Sequence, residues 1–179
     1  MGALRIAAGE LKGRRLVAGP GRPTSGRVRE AVFSVLGHDL GSGGVDRVLD
    51  LYCGSGAMAL EALSRGASTA VLVDQDPDAA RSNVDSLRLQ DRAEVLGCSV
   101  SSAIGSLGSH EFDLIFCDPP YRLAATEMEP LGSKILAALA PAGRIVVEGP
   151  AGEGPFLDAP LLFDRSYGRT RVMIHGDDD

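Results

Sequence analysis

Three short stretches carry the side chains best suited to chemistry, and each closes an apolar run. The first is Asp50-Leu51-Tyr52-Cys53-Gly54-Ser55-Gly56. Gly54 and Gly56 let the backbone turn tightly and let a ligand approach main-chain N–H groups. Gly54-x-Gly56-x-x-Ala59 also fits the loose dinucleotide-binding fingerprint. The second is Asp74, twenty residues after Gly54, where a carboxylate can accept hydrogen bonds from both hydroxyls of a ribose. A plain strand-turn-helix with a capping acid would explain the two features less well than an adenosine-bearing ligand does. Asp50 narrows the choice, because a carboxylate there repels a pyrophosphate and attracts the cationic methionine part of S-adenosylmethionine. An acid used only for burial or helix capping would also account for Asp50.

The third stretch is Leu114-Ile115-Phe116-Cys117-Asp118-Pro119-Pro120-Tyr121. Two prolines stiffen the backbone and donate no N–H groups. The Asp118 carboxylate and the Pro119 carbonyl are then acceptors for an amino group, and Tyr121 offers a flat face for stacking a base. A hydrogen-bonded Pro-Pro turn is the bland alternative. Other candidates carry less. His38, His110 and His175 lie far apart without metal-ligand spacing, and no metal is expected. Ser55 is not in a Gly-x-Ser-x-Gly elbow, which argues against a serine hydrolase. Glu127 and Glu129 read as a solvated helix start.

These stretches need a frame that brings strand ends together. From Val45 onward, apolar strands alternate with helical segments. The expected strands are 47–52, 70–73, 93–96, 112–117 and 144–148, with one or two closing strands over 166–174. The expected helices are 57–65, 78–89, 101–107 and 129–139. Such alternation predicts an α/β fold, a mostly parallel sheet with helices on both faces. Ahead of it, 5–8 and 14–17 flank a glycine-bounded turn and predict a β-hairpin. Thr24 or Ser25 can cap a helix reaching Leu36, with Val28, Val32, Val35 and Leu36 on one face. Gly41 to Gly44 separates this N-terminal extension (1–44) from the main body (45–176), within one domain of 179 residues.

Composition limits the functions open to this chain. It is 44% hydrophobic and 23% charged, which fits a packed globular core and excludes intrinsic disorder. Its apolar runs are too short to span a membrane, no secretory signal opens it, and Cys53, Cys98 and Cys117 form no pairs. A cytoplasmic protein without a membrane partner is expected, and a monomer is the simplest expectation. The net charge of −6 argues against a protein that coats nucleic acid. Residues 1–30, however, hold seven basic side chains against two acidic ones. A basic arm on an acidic body predicts local contact with a polyanion, with Arg14 and Arg15 among the candidate contacts.

Asp-x-x-x-Gly-x-Gly followed by Asp-Pro-Pro-Tyr resembles class I methyltransferases that modify amino groups of bases. Arg22 to Glu30, Asp50 to Gly56 and Leu60 to Ala67 are more specific. They are similar to the RsmD family of bacterial 16S rRNA (guanine-N2)-methyltransferases, from Arg5 through Ile174. The resemblance implies a Rossmann-like S-adenosylmethionine-dependent fold with an N-terminal β-hairpin. It implies methylation of the exocyclic N2 amino group of a guanine in 16S rRNA of the small ribosomal subunit. By the same resemblance, Asp50, Gly54, Ser55, Gly56, Asp74 and Ser99 bind S-adenosylmethionine. Asp118, Pro119 and Tyr121 serve catalysis and hold the guanine, while Thr24, Arg27 and Arg29 lie beside the cofactor or the RNA. The chain departs from the family pattern at Gly26, at Cys98-Ser99 and at Arg169, where an acid, an Asn or Asp, and an acid are usual. A DNA adenine-N6 methyltransferase would use the same Asp-Pro-Pro-Tyr. It generally needs a separate target-recognition region, for which 179 residues leave little room.

Overall fold

The computed structural model describes residues 3–19, 25–37, 40, 43–120, 124–154 and 156–176. Within them, a seven-stranded sheet has the order β3-β2-β1-β4-β5-β7-β6. The strands are β1 (Arg47–Leu51), β2 (Thr69–Asp74), β3 (Ala93–Gly97), β4 (Phe112–Cys117), β5 (Leu139–Pro150), β6 (Leu161–Tyr167) and β7 (Thr170–Gly176). The first five pair in parallel, and β7 lies antiparallel between β5 and β6. Strand order reverses between β1 and β4, so a crevice opens at the carboxyl ends of these two strands, where ligands bind in open α/β sheets.

Both faces of the sheet are covered, which is why its central strands are near-continuous apolar runs. On one face, Val48, Leu72, Leu114, Phe116, Val146 and Ile174 pack under α1 (Gly26–Val35), α2 (Ala57–Ser64) and α3 (Asp78–Leu87). On the other, Leu49, Leu51, Val73, Ile115 and Val147 pack under α4 (Val100–Ile104) and α5 (Ala124–Ala138). Ile6, Leu16, Val28, Val32 and Phe33 of the N-terminal extension join the first of these cores.

Several elements differ from the sequence expectation. Helix α5 starts near 124 rather than 129 and runs through Pro130. Strand β5 begins at Leu139 rather than 144 because Leu139 pairs with Phe112 of β4, and it runs on to Pro150 because pairing with β7 prolongs that end. The chain closes with two antiparallel strands, the first starting at Leu161. In α1, capped by the Ser25 side chain on Val28 N–H, the buried face is Val28, Arg29, Val32 and Phe33. Val35 is 44% exposed, because it lies about a quarter-turn from the centre of that face.

The extension is a hairpin, tied by Ile6 N–H to Arg14 O (3.0 Å) and Leu16 N–H to Leu4 O (2.9 Å). It lies across α2, every residue of which is buried. A helix apolar nearly all round must be covered on every side. Its two polar interior groups, Glu61 and Ser64, meet the hairpin backbone.

Candidate active site

Register places the candidate residues abreast. Leu51 pairs with Val73 on one side and Cys117 on the other, so the next residues, Tyr52, Asp74 and Asp118, stand side by side at the sheet's carboxyl edge. Asp74 in turn pairs with Gly97 at the end of β3. Beyond the strand, Tyr52 turns at φ 60, a conformation that side chains with a Cβ rarely adopt. Gly54 and Gly56 follow at φ 53 and 74. A Cβ on Gly56 would stand 2.5 Å from Leu72 Cδ2, so both backbone and space require glycine there. A Cβ on Gly54 would meet nothing within 4 Å, which leaves its outer side open to a ligand.

The carboxylates hold this loop. Asp74 Oδ2 accepts the Gly54 N–H at 2.7 Å and Oδ1 accepts the Asp76 N–H at 2.9 Å. Each oxygen keeps one lone-pair direction for a further donor such as a ribose hydroxyl. Asp50 is buried, and its Oδ2 accepts the Ala59 N–H at 3.1 Å. That is the third residue of α2, whose N-cap, Gly56, has no side chain with which to cap. Asp50 therefore does cap a helix, from a neighbouring strand. Among the described residues this is its one side-chain hydrogen bond, weak compensation for a buried charge. Burial pushes the Asp50 carboxyl up to about 7, and the charges of Asp118 and Asp74 add to the rise. A cationic group in the crevice would relieve this imbalance.

Ser55 is buried in the same loop. Ser99 caps α4 by accepting the Ser102 N–H at 3.2 Å, two strands away from β1. Asp118 is half-buried, Pro119 buried and Pro120 exposed. Tyr121 and Thr24 lie outside the described residues. Burial pushes the Cys53 and Cys117 thiols up, which disfavours the thiolate that a nucleophile needs.

The basic arm divides into two kinds of residue. Arg14, Arg15 and Arg27 are exposed, with Arg14 donating to Ser86 O at the end of α3 (2.8 Å). Arg29 does not fit the expectation of an RNA contact, because it is 5% exposed. Its Nη2 donates to Arg5 O at 2.6 Å and its Nε lies 3.8 Å from Glu61. Glu61 also accepts the Ala7 N–H (2.7 Å), the Ala8 N–H (3.0 Å) and Arg65 Nε (2.8 Å). The sequence reading missed Glu61 and Asn83. A lone acid inside Ala-Met-Ala-Leu-Glu-Ala-Leu-Ser was a signal for the first, since a buried carboxylate needs donors. Nothing local marks Asn83. Among the described residues, no group of His, Cys, Asp and Glu could hold a metal, and no helix is long and apolar enough to cross a membrane.

Residues 4–175 match the family described as conserved hypothetical protein 95. The chain is 36% identical over 132 residues to ribosomal RNA small subunit methyltransferase D of Escherichia coli, covering 70% of this chain and 64% of that relative. The chain belongs to the RsmD family. The RsmD family match takes in both the glycine loop and the hairpin ahead of it. YlbH of Bacillus subtilis is 38% identical over 127 residues, 66% of this chain and 67% of that protein. The solved structure of Escherichia coli yhhF superposes with a TM-score of 0.80 at 30% identity, over 97% of each chain. The fold is thus that of a class I methyltransferase, as the RsmD resemblance implied, and the match includes the hairpin. The chain spans just under two thirds of the Escherichia coli relative in sequence and nearly all of the solved chain in structure.

Proposed function

We propose that this protein methylates the N2 amino group of a guanine in 16S rRNA of the small ribosomal subunit, using S-adenosylmethionine. One observation carries the reading: Asp50 is buried beside Asp74 and Asp118, and among the described residues its carboxylate is held by a single backbone N–H. Such a site favours a ligand that brings positive charge, and a sulfonium does so. When bound, S-adenosylmethionine supplies an activated methyl group.

This chain's own residues do the rest. Asp74 accepts from the ribose through the lone pairs left free by Gly54 and Asp76. Gly54 presents open backbone to the methionine part, and Ser55 and Gly56 keep the loop narrow. Ser99 stands at the adenine end. At the other side of the crevice, Asp118 and the Pro119 carbonyl accept hydrogen bonds from the guanine amino group. That nitrogen is a poor nucleophile, because its lone pair is delocalised into the ring. Acceptors on its protons favour a more tetrahedral nitrogen and stabilise the positive charge that develops on it. Tyr121 stacks the base, and Arg14, Arg15 and Arg27 attract the RNA backbone.

The Escherichia coli relative is named for small-subunit ribosomal RNA, and nothing in it favours the DNA adenine alternative. Unmodified small subunits incubated with the protein and methyl-labelled S-adenosylmethionine test the proposal. A single guanine should gain one label on N2. Label on DNA adenine, or none on RNA, would overturn it.

A further inference from the structure

Asn83 in α3 is fully buried and takes no part in the chemistry described above. Its Oδ1 accepts the Val17 N–H at 2.7 Å. Its Nδ2 donates to Val17 O and to Ser55 O, both at 2.9 Å. Val17 follows the second hairpin strand, and Ser55 belongs to the glycine loop. Two residues beyond Val17, Gly19 packs so closely on that loop that a Cβ would stand 3.1 Å from Gly54 C and Ser55 N. One side chain therefore grips the arm and the cofactor loop together.

We propose that Asn83 is a positioning residue through which the N-terminal arm sets the conformation of the cofactor loop, and so its affinity. The inference rests on the reading of this loop as the S-adenosylmethionine site. Gly54 and Gly56 at positive φ have no side chains of their own to hold the turn, so partners outside the loop must fix it. Asp74 fixes the Gly54 N–H and Asn83 fixes the Ser55 carbonyl. The Asn83 amide cannot follow a shift of Val17 without losing the Ser55 carbonyl, because one rigid planar group makes all three bonds. Asn83 is fully buried, so its amide groups are costly to leave without partners.

The test is calorimetric titration of S-adenosylhomocysteine into the full chain, with steady-state kinetics on small subunits. Asn83→Ala should weaken binding about tenfold. Val17→Pro removes one N–H of the arm and no group of the loop, and it should weaken binding about threefold. KM for S-adenosylmethionine should rise by the same factors, with kcat at saturation kept. A variant that merely unfolds in part would lower kcat and leave KM alone. Wild-type affinity in a folded Val17→Pro protein would overturn the role of the arm, and this variant decides alone if Asn83→Ala does not fold. A wild-type chain that fails to bind S-adenosylhomocysteine would overturn the cofactor reading instead.

Discussion

Asp50 and Glu61 are both buried carboxylates, eleven residues apart along the same strand-loop-helix path into α2, yet they do opposite things. Glu61 accepts two backbone N–H groups and Arg65, with Arg29 close by, so its charge is met inside the protein. Arg65 is itself held over the Phe33 ring, 4.7 Å from its centroid. Among the described residues, Asp50 accepts one N–H and has two further carboxylates for neighbours. The compensated acid fastens the hairpin and α1 to the body. The uncompensated one leaves the crevice short of positive charge. Burial alone does not mark a functional acid; burial without enough donors does.

The largest effect should come from breaking the compensated side. Glu61→Ala leaves Arg29 buried without its counter-charge and the Ala7 and Ala8 N–H groups without an acceptor, and should destabilise the fold by about 3–5 kcal/mol. Urea unfolding measures this, and a loss below about 1 kcal/mol would erase the contrast with Asp50. On the other side, Asp118→Ala should lower the single-turnover methylation rate by about 10²–10³ while leaving cofactor affinity near normal. Asp118→Asn keeps an acceptor and should retain more activity than Ala. A wild-type rate in the Ala variant would reduce Asp-Pro-Pro-Tyr to a turn.

The contrast sharpens with pH. The folded Asp50 carboxyl titrates near 7, above its ordinary 3.8, so between these values the folded state holds a proton that the unfolded chain has lost. Stability should therefore fall as pH rises across this window in the wild type and not in Asp50→Asn. Binding of the cationic cofactor should strengthen over the same rise, as the carboxylate ionises. Thermal melts of both proteins at matched pH check it, and parallel curves would mean that Asp50 is as well compensated as Glu61. The smallest effect belongs to the exposed arm. Replacing Arg14 and Arg15 by alanine should reduce the salt slope of RNA binding by about 1.4 and leave cofactor affinity unchanged. An unaltered slope would make the arm purely structural.

The strand-helix alternation, the glycine loop, and the acids at the ends of β1, β2 and β4 were all legible in the amino-acid order. These are local patterns: apolar runs report burial, glycines report tight turns, and an acid after a strand marks the edge where ligands gather. The hairpin was legible for the same reason. What each charge is for emerges on folding. Arg29 and Arg14 look alike in the basic arm, but one is buried against Glu61 and the other is exposed. Asp50 reads as a ligand-facing acid, and the fold also makes it the cap of α2. Asn83 carries no sequence signal, because its side chain's two partner residues, Ser55 and Val17, lie 28 and 66 residues away along the chain. A side chain's charge is written in its type, but the donors that meet that charge are gathered by folding from distant segments.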